Sequence, residues 1–126
     1  MKLEDLEVYN LSMELADSVY NVIMEFDFFH KDTLGKQWIR AIDSVSLNIS
    51  EGFGRYTHRD SRVFSIIARG SLYESKTCLN KVFRRNIISE EVYHEILKEH
   101  NNLGVKLNNF INYQTNLIKK QQLSNN

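Results

Sequence analysis

The chain is 126 residues long, yet it contains no proline and only five glycines. Proline interrupts helices because it lacks a backbone donor, and glycine is the next poorest helix former. A chain with so few interruptions can form long helices, and this disfavours a turn-rich β fold. Apolar residues make up 42% and charged residues 25%, which suits one soluble globular domain of this length.

Apolar residues recur in four stretches at the three- and four-residue spacing of one helix face. We predict four helices, over residues 4–26, 33–51, 57–85 and 89–118. The connections between them are short, so successive helices should run antiparallel. The predicted fold is therefore all-α, an antiparallel up-down-up-down four-helix bundle.

Polar residues mark the predicted helix starts, because their side chains accept hydrogen bonds from free backbone N–H groups. The predicted N-caps are Asp32 or Thr33 for helix 2, Thr57 for helix 3 and Ser89 for helix 4. The bundle domain is predicted to span residues 1–118. Residues 119–126 are polar and are predicted to form a disordered tail.

Helix 1 carries more apolar residues than one face of a bundle helix needs. The stripe predicted to face the core is Leu6, Tyr9, Met13, Ala16, Tyr20 and Ile23. A second stripe beside it includes Val8, Leu11, Leu15, Val19 and Val22. Together they cover roughly 220° of the circumference, whereas an arc of about 100° or a little more suffices. We predict that the second stripe is the interface of a homo-oligomer, and the alternative is cover by the C-terminal tail or by Phe28 and Phe29.

Residues that usually catalyse reactions or bind metals are sparse. Cys78 is the only cysteine and lies on the predicted core face of helix 3, which favours a small buried side chain over a nucleophile. A di-iron bundle requires two Glu-x-x-His motifs, and the sequence has one such spacing, Glu91 to His94. We predict no enzyme activity, cofactor, metal or small-molecule substrate. Without an apolar run of membrane-spanning length or a visible signal peptide, the chain is expected to be cytoplasmic, with no membrane partner.

Charge is unevenly distributed, although the formal net charge is zero. Residues 1–32 hold two basic and eight acidic side chains, and residues 33–85 hold ten basic and four acidic ones. Helix 3 and its start carry Arg55, Arg59, Arg62, Arg69 and Lys76. The last three are spaced by seven residues on one face, with no acidic residue three or four positions away to neutralise them. An unpaired basic face with Tyr73 beside it suits phosphate contact, so these five residues are the predicted RNA or DNA contacts.

Charge pairing is a second explanation of the basic face. Helix 1 presents an acidic stripe of Glu7, Glu14 and Glu25, with Asp17 close by. The two faces could pair within one subunit or across an interface, and the chain would then be a protein–protein assembly module that binds no nucleic acid. The zero net charge favours this alternative, since dedicated nucleic-acid binders usually carry a basic excess. A merely solvated face is the third explanation.

The end of helix 2 contains a polar motif that we interpret as structural. Asn48 is predicted to satisfy buried backbone at the turn that follows. Glu51 lies at a helix C-terminus, where negative charge is disfavoured, and Arg55 or Arg40 could offset it. Gly52 and Gly54 are predicted to end the helix.

Two segments resemble blocks of a known family. Residues 37–55 read Gln-Trp-Ile-Arg-Ala-Ile-Asp-Ser-Val-Ser-Leu-Asn-Ile-Ser-Glu-Gly-Phe-Gly-Arg, and residues 67–74 read Ile-Ala-Arg-Gly-Ser-Leu-Tyr-Glu. Both are similar to the four-helix bundle proteins encoded in intervening sequences of bacterial 23S rRNA, the S23 ribosomal protein-like family. The similarity spans about residues 3–115 and implies a ring-like homopentamer of antiparallel four-helix bundles. A related branch, the accessory proteins of diversity-generating retroelements, is pentameric and binds nucleic acid and a reverse transcriptase.

Overall fold

The structure is a computed structural model that describes residues 1–124, and all the regular elements in that range are helices. The four long helices are α1 (Glu7–Met24), α2 (Lys36–Phe53), α3 (His58–Arg84) and α4 (Glu90–Ser124). A 3₁₀ turn, Leu3–Asp5, precedes α1. The predicted all-α class with four helices is confirmed.

Contacts between neighbouring helices pair earlier residues of one helix with later residues of the next. Ser44 of α2 hydrogen-bonds to Ser71 of α3, with 2.8 Å between the hydroxyl oxygens. Earlier in α2, the Trp38 indole donates to Ser75 of α3 over 3.0 Å. This is the pattern that antiparallel neighbours produce. Around the bundle the order is α1, α2, α3, α4, so α1 and α3 lie diagonally opposite each other.

The core is formed by side chains from all four helices around Trp38, which is fully buried. The buried face of the helix predicted over residues 33–51 is formed by Leu34, Trp38, Ala41, Ile42, Val45 and Ile49. On α3, Cys78 is buried as predicted and Val82 is buried as well, whereas Ile67 is 45% exposed. The core side of α3 there is formed by Ala68 and Leu72 instead.

Both apolar stripes of α1 contribute to the core, and Ala16 and Ile23 of the predicted core stripe are buried as expected. The predicted interface residues Val8, Leu15 and Val19 are at most 3% exposed in a single chain, and Leu11 and Val22 are half-buried against the core. They offer little surface to a second copy, so this interface prediction is wrong. Met13 and Tyr20, predicted as core, are 42% and 52% exposed. The two adjacent stripes are equally apolar in sequence, and the positions of α2 and α4 decide which residues are buried.

The helical segment that leads into α2 begins earlier than predicted. The carboxylate of Asp27 accepts a hydrogen bond from the backbone N–H of His30 over 2.9 Å and so caps a helical turn, Phe28–His30. A π-helical turn, Lys31–Gly35, connects that turn to α2. The predicted loop over residues 27–32 and the predicted caps Asp32 and Thr33 are therefore wrong, because the helix is already capped at Asp27.

The other predicted helix ends agree better with the structure. The Thr57 hydroxyl accepts from Asp60 N–H over 3.1 Å, and the Ser89 hydroxyl accepts from Val92 N–H over 3.2 Å. Gly54 caps the end of α2, in a right-handed conformation with φ −79°. The helix α4 continues through Ser124, where the sequence predicted a disordered tail, and residues 125 and 126 of that tail lie outside the described residues.

Candidate nucleic-acid interface

The basic stripe of α3 lies against α4. Arg62 Nε donates to the Thr115 hydroxyl over 2.8 Å, and Lys76 Nζ donates to Asn101 Oδ1 over 3.4 Å. Arg69 lies between them in the sequence of α3, with its guanidinium 5.8 Å from the ring centroid of Tyr73. The seven-residue spacing places the three cations on one face of α3, as the sequence predicted, and the structure places that face at the boundary with α4.

None of these three cations pairs with a carboxylate within residues 1–124. The acidic stripe of α1 cannot reach them inside one chain, because α1 and α3 are diagonally opposite. Glu7 instead pairs with Lys106 of α4 at 3.2 Å. Charge pairing between this face and α1 within one subunit is thus not formed in the described part of the chain, and pairing between subunits or a merely solvated face are the remaining alternatives to nucleic-acid binding.

The other two predicted contacts differ from the stripe. Arg55 pairs with Glu51 at 2.7 Å, and its guanidinium carbon lies 4.5 Å from the ring centroid of Phe64. Part of its charge is therefore already compensated, which confirms the predicted offset of Glu51. Arg59 is exposed at the start of α3. The structure thus separates three aligned cations from two residues at the α2–α3 junction.

The predicted structural motif at this junction includes Asn48 and Gly52, and their contacts differ from those predicted. Asn48 donates to the backbone oxygen and the hydroxyl of Ser44, over 2.8 and 2.9 Å. It therefore bonds one turn back along α2 and does not satisfy the turn at Gly52. A Cβ at Gly52 would lie 2.9 Å from the Ser61 carbonyl oxygen and 3.0 Å from Phe64 Cβ. Gly52 is required because α2 and α3 approach closely there.

The outer surface between α3 and α4 contains a groove of about 260 Å³. We call it the α3–α4 groove. Its polar lining is Arg69, Tyr73 and Lys76 from α3, with His100, Asn101 and Asn108 from α4. Leu72, Gly104 and Val105 provide its apolar surface. No carboxylate lines this cavity, so it combines positive charge with amide groups that can donate and accept.

His100 is buried in the wall of the groove, at 2% exposure. Its Nε2 lies 3.1 Å from Ser75 Oγ, which also accepts the hydrogen bond from the Trp38 indole. The indole N–H only donates, whereas the bond between Ser75 and His100 can run in either direction, according to which ring nitrogen carries the hydrogen. No hydrogen-bond partner for Nδ1 is found among residues 1–124. A buried polar atom without a partner is uncommon in folded proteins.

The imidazole of His100 is neutral at physiological pH. Burial, and to a lesser extent the positive charge of Lys76, lower its pKa to about 4. Both effects disfavour the charged ring. The wall of the groove therefore contains a neutral imidazole beside the cations of Arg69 and Lys76.

The residues considered for catalysis are placed unfavourably. Cys78 is buried, and burial raises the pKa of its thiol. His94 lies 3.5 Å from Glu90, and both His94 and Glu91 are exposed on α4 and so lie outside the core. No cluster of three potential metal-ligating side chains occurs in the described part of the chain. No helix among residues 1–124 combines the length and apolarity needed to span a membrane.

Four packed helices with a cationic groove on their outer surface define a small all-α bundle protein. The chain belongs to the 23S rRNA-intervening sequence protein family, whose model matches residues 4–109. It is also similar to the crystal structure of a protein of unknown function from the S23 ribosomal protein family of Bacteroides thetaiotaomicron. The TM-score is 0.75 at 23% identity, over 82% of this chain and 97% of that one, which shows a shared fold. No curated protein matches the sequence. The family resemblance predicted from residues 37–55 and 67–74 is confirmed.

Sequence reasoning missed the contribution of α4 to the groove. Asn101, Asn108 and Thr115 repeat every seven residues, the same spacing as Arg62, Arg69 and Lys76. Matching heptads on two consecutive helices could have indicated a shared boundary. His100 was missed although it lies four residues after Ile96 and three before Leu103, a spacing that could have indicated its burial on the core side of α4.

Proposed function

We propose that this protein is a non-enzymatic homo-oligomer that binds structured RNA or DNA along the α3–α4 groove. Arg62, Arg69 and Lys76 contact phosphates, and Arg59 extends the contact toward the start of α3. Arg55 contributes least, because Glu51 already pairs with it. The observation that carries this proposal is the line of three cations without a carboxylate partner among residues 1–124.

The neighbouring groups suit a nucleic-acid backbone. Asn101, Asn108 and Thr115 lie beside the cations, and side chains of these types commonly bond phosphate and sugar oxygens. Each phosphate contact releases condensed counterions, with a salt slope of about −0.9 per contact on duplex and about −0.7 on single strands. Three contacts per subunit are weak alone, and repetition of the groove in an oligomer multiplies them.

Support for the oligomer comes from exposed apolar side chains at two separate places. Met13, Tyr20 and Met24 are exposed on α1. Leu47 of α2 and Ile67 of α3 are exposed elsewhere on the bundle. Two unlike apolar surfaces on one chain suit a head-to-tail contact, which generates a ring when the rotation closes. The ring of five implied by the family resemblance is the closed form we expect.

The oligomer is tested by light scattering on the wild type and on Met13→Glu with Tyr20→Glu. We expect a multimer for the wild type and a folded species of lower mass for the double variant. Asn10→Glu with Asn21→Glu, two exposed polar positions on α1, controls for the added charge. A monomeric wild type at micromolar concentration would contradict the assembly.

The second candidate function is a protein–protein assembly module without nucleic-acid binding. The zero net charge and the exposed apolar residues of α1 favour it. In that case the basic stripe pairs with the acidic stripe of another subunit. Added salt would then weaken the oligomer itself, since exposed ion pairs are screened.

Titration with a structured RNA separates the two candidates. We expect the wild type to bind with an affinity that falls steeply between 50 and 200 mM salt, an effect characteristic of phosphate contacts. Arg62→Ala with Arg69→Ala should lose at least tenfold in affinity. Arg84→Ala with Arg85→Ala removes the same charge from exposed positions at the end of α3 and should lose much less. Equal losses from the two double variants, or no binding by the wild type, would count against the groove as the binding surface.

A further inference from the structure

We propose that the α3–α4 groove holds the base of one unstacked nucleotide, with its phosphate on Arg69 or on Lys76 according to the direction of the strand. This inference rests on the proposed function for the nature of the partner, but it adds a pocket for a base to a surface for phosphates. The groove is about 260 Å³. That lies slightly below the roughly 300–1,000 Å³ of pockets for drug-sized ligands, and so suits a single base.

The walls of the groove match the two chemical surfaces of a nucleobase. Leu72, Gly104 and Val105 supply apolar area, and Tyr73 adds an aromatic ring that is 59% exposed. Unpaired bases are typically held by stacking on aromatic side chains and by hydrogen bonds to their edges. The side-chain amides of Asn101 and Asn108 carry both donors and acceptors for such edges.

His100 supplies an independent reason to expect a polar ligand. Its Nδ1 is buried and has no partner among residues 1–124, while Nε2 lies 3.1 Å from Ser75 Oγ. An unsatisfied buried polar atom costs free energy that a complementary group on a ligand would recover. The edges of bases carry both donors and acceptors, so they suit either tautomer of the ring. A purely anionic ligand would use the two cations but leave the amides and the aromatic ring without a role.

The surroundings of the groove fit an anionic nucleotide better than a neutral nucleoside. Arg69 and Lys76 stand seven residues apart on α3, on either side of Tyr73, and the cavity has no carboxylate lining. A base beside Tyr73 would therefore have a cation toward each end of the groove for its phosphate. Either a free mononucleotide or an unpaired residue of an RNA chain presents this chemistry.

The test uses Gly104→Leu, which fills the groove without changing charge. A Cβ at Gly104 would lie 3.9 Å from Leu72 Cδ2, so the backbone tolerates it while the rest of the side chain occupies the cavity. The matched control is Gly70→Leu on α3, where an added Cβ meets nothing within 4 Å and the position does not line the groove. Both changes replace a helical glycine, which by itself favours the helix.

The experiment titrates two RNAs at one salt concentration. One is a hairpin with an unpaired loop, and the other is a blunt duplex of the same stem. Free nucleoside monophosphates are the third ligand. We expect the wild type and Gly70→Leu to prefer the hairpin by about tenfold, in line with stacking of one base. Gly104→Leu should lose that preference and keep its affinity for the duplex. In ¹⁵N NMR, the Nδ1 resonance of His100 should shift on addition of the hairpin to the wild type. Tight binding of a free monophosphate, lost only in Gly104→Leu, would support the pocket and assign the free ligand as its source.

Other results would overturn the base pocket. Equal binding of hairpin and duplex by the wild type would contradict the pocket and leave phosphate binding intact. Citrate that competes as well as a monophosphate would show a site for anions without a base. If neither RNA nor any monophosphate binds the wild type, the pocket and the proposed function fail together.

Discussion

The two sides of α3 are built differently. On the side of α2, polar groups find partners within the chain: Ser44 bonds Ser71, and Arg55 pairs with Glu51. On the side of α4, Arg69 lies over a tyrosine without an acidic partner in the described residues, and His100 Nδ1 has no hydrogen-bond partner. The buried side-chain polar atoms of the first boundary all have partners among residues 1–124, whereas the second boundary has a buried imidazole nitrogen without one.

This difference separates stability from binding. A polar group whose partner is another part of the fold contributes to folding when it is buried and costs stability when it is removed. A cation without a partner contributes little to folding and is available to a ligand. Changes on the α2 side should therefore alter stability, and changes on the α4 side should alter binding.

Ser75 connects the two sides, and its loss should have the largest effect on stability. Its hydroxyl bonds both Trp38 of α2 and His100 of α4. Ser75→Ala leaves two buried groups unsatisfied, at about 1–3 kcal/mol each, so we expect a loss of about 3 kcal/mol in urea unfolding. The control Ser65→Ala is a buried serine on the same helix whose hydroxyl makes one bond, of 3.4 Å, to its own helix. A similar loss from both variants would refute the connecting role of Ser75.

Acid should weaken the fold through His100. The pKa of this ring is about 4 in the folded chain and about 6.5 in an unfolded one. Between these values the unfolded state binds the proton and the folded state does not, so stability is present above pH 6.5 and is lost as pH falls toward 4. The full shift corresponds to at most about 3 kcal/mol.

Burial raises the pKa of the Glu99 and Asp43 carboxyls, and this acts in the opposite direction at the acid end of that range. The measurement is urea unfolding of the wild type and His100→Gln at pH 7, 5.5 and 4.5. We expect the wild type to lose more stability than the variant between the first two values. If the unfolding free energies of the two proteins fell in parallel with pH, burial would not lower the pKa of His100.

A methyl group at Gly52 should destabilise the α2–α3 junction by about 1–3 kcal/mol, the usual cost of overpacking. In Gly52→Ala the new Cβ must displace Ser61 or Phe64, from which it would be 2.9 and 3.0 Å away. Gly54→Ala serves as control, because the nearest atom would be 3.6 Å away and φ is −79°. Thermal unfolding should show a lower midpoint for the first variant only, and RNA affinity should stay unchanged in both once folded.

How far the fold follows from sequence depends on how distinctive each pattern is. The core of α2 was predictable residue by residue, because its apolar face is narrow and stands between polar neighbours. On α1 two equally apolar stripes lie side by side, and only the positions of α2 and α4 decide that Leu15 and not Met13 is buried. The cap at Asp27 was missed because two adjacent aromatic residues, Phe28 and Phe29, suggested a loop that covers the core. Both rings are instead exposed on a helical turn.

The candidate site was predictable only for its charged half. Arg62, Arg69 and Lys76 follow from spacing within one helix, and the absence of nearby acids is visible in the sequence. The groove itself requires the register between α3 and α4, which places Asn101 opposite Lys76 and Thr115 opposite Arg62. Register between helices depends on packing across the core, and no pattern within one helix encodes it.

The smallest effect is expected from a change that frees a paired cation on the α2 side for contact with a ligand. Glu51→Gln removes the partner of Arg55, and an exposed ion pair of this kind contributes only about 0–1 kcal/mol, so stability should change little. Arg55 would then be available for one more phosphate. We expect RNA affinity to rise about twofold and the salt slope to steepen by less than one unit. Glu74→Gln, at an exposed glutamate on α3 that pairs with no cation in the described residues, removes the same charge and should leave the slope unchanged. If both variants steepen the salt slope of RNA binding equally, overall charge and not the pairing of Arg55 determines the affinity. The contrast between the two sides of α3 would then not extend to Arg55.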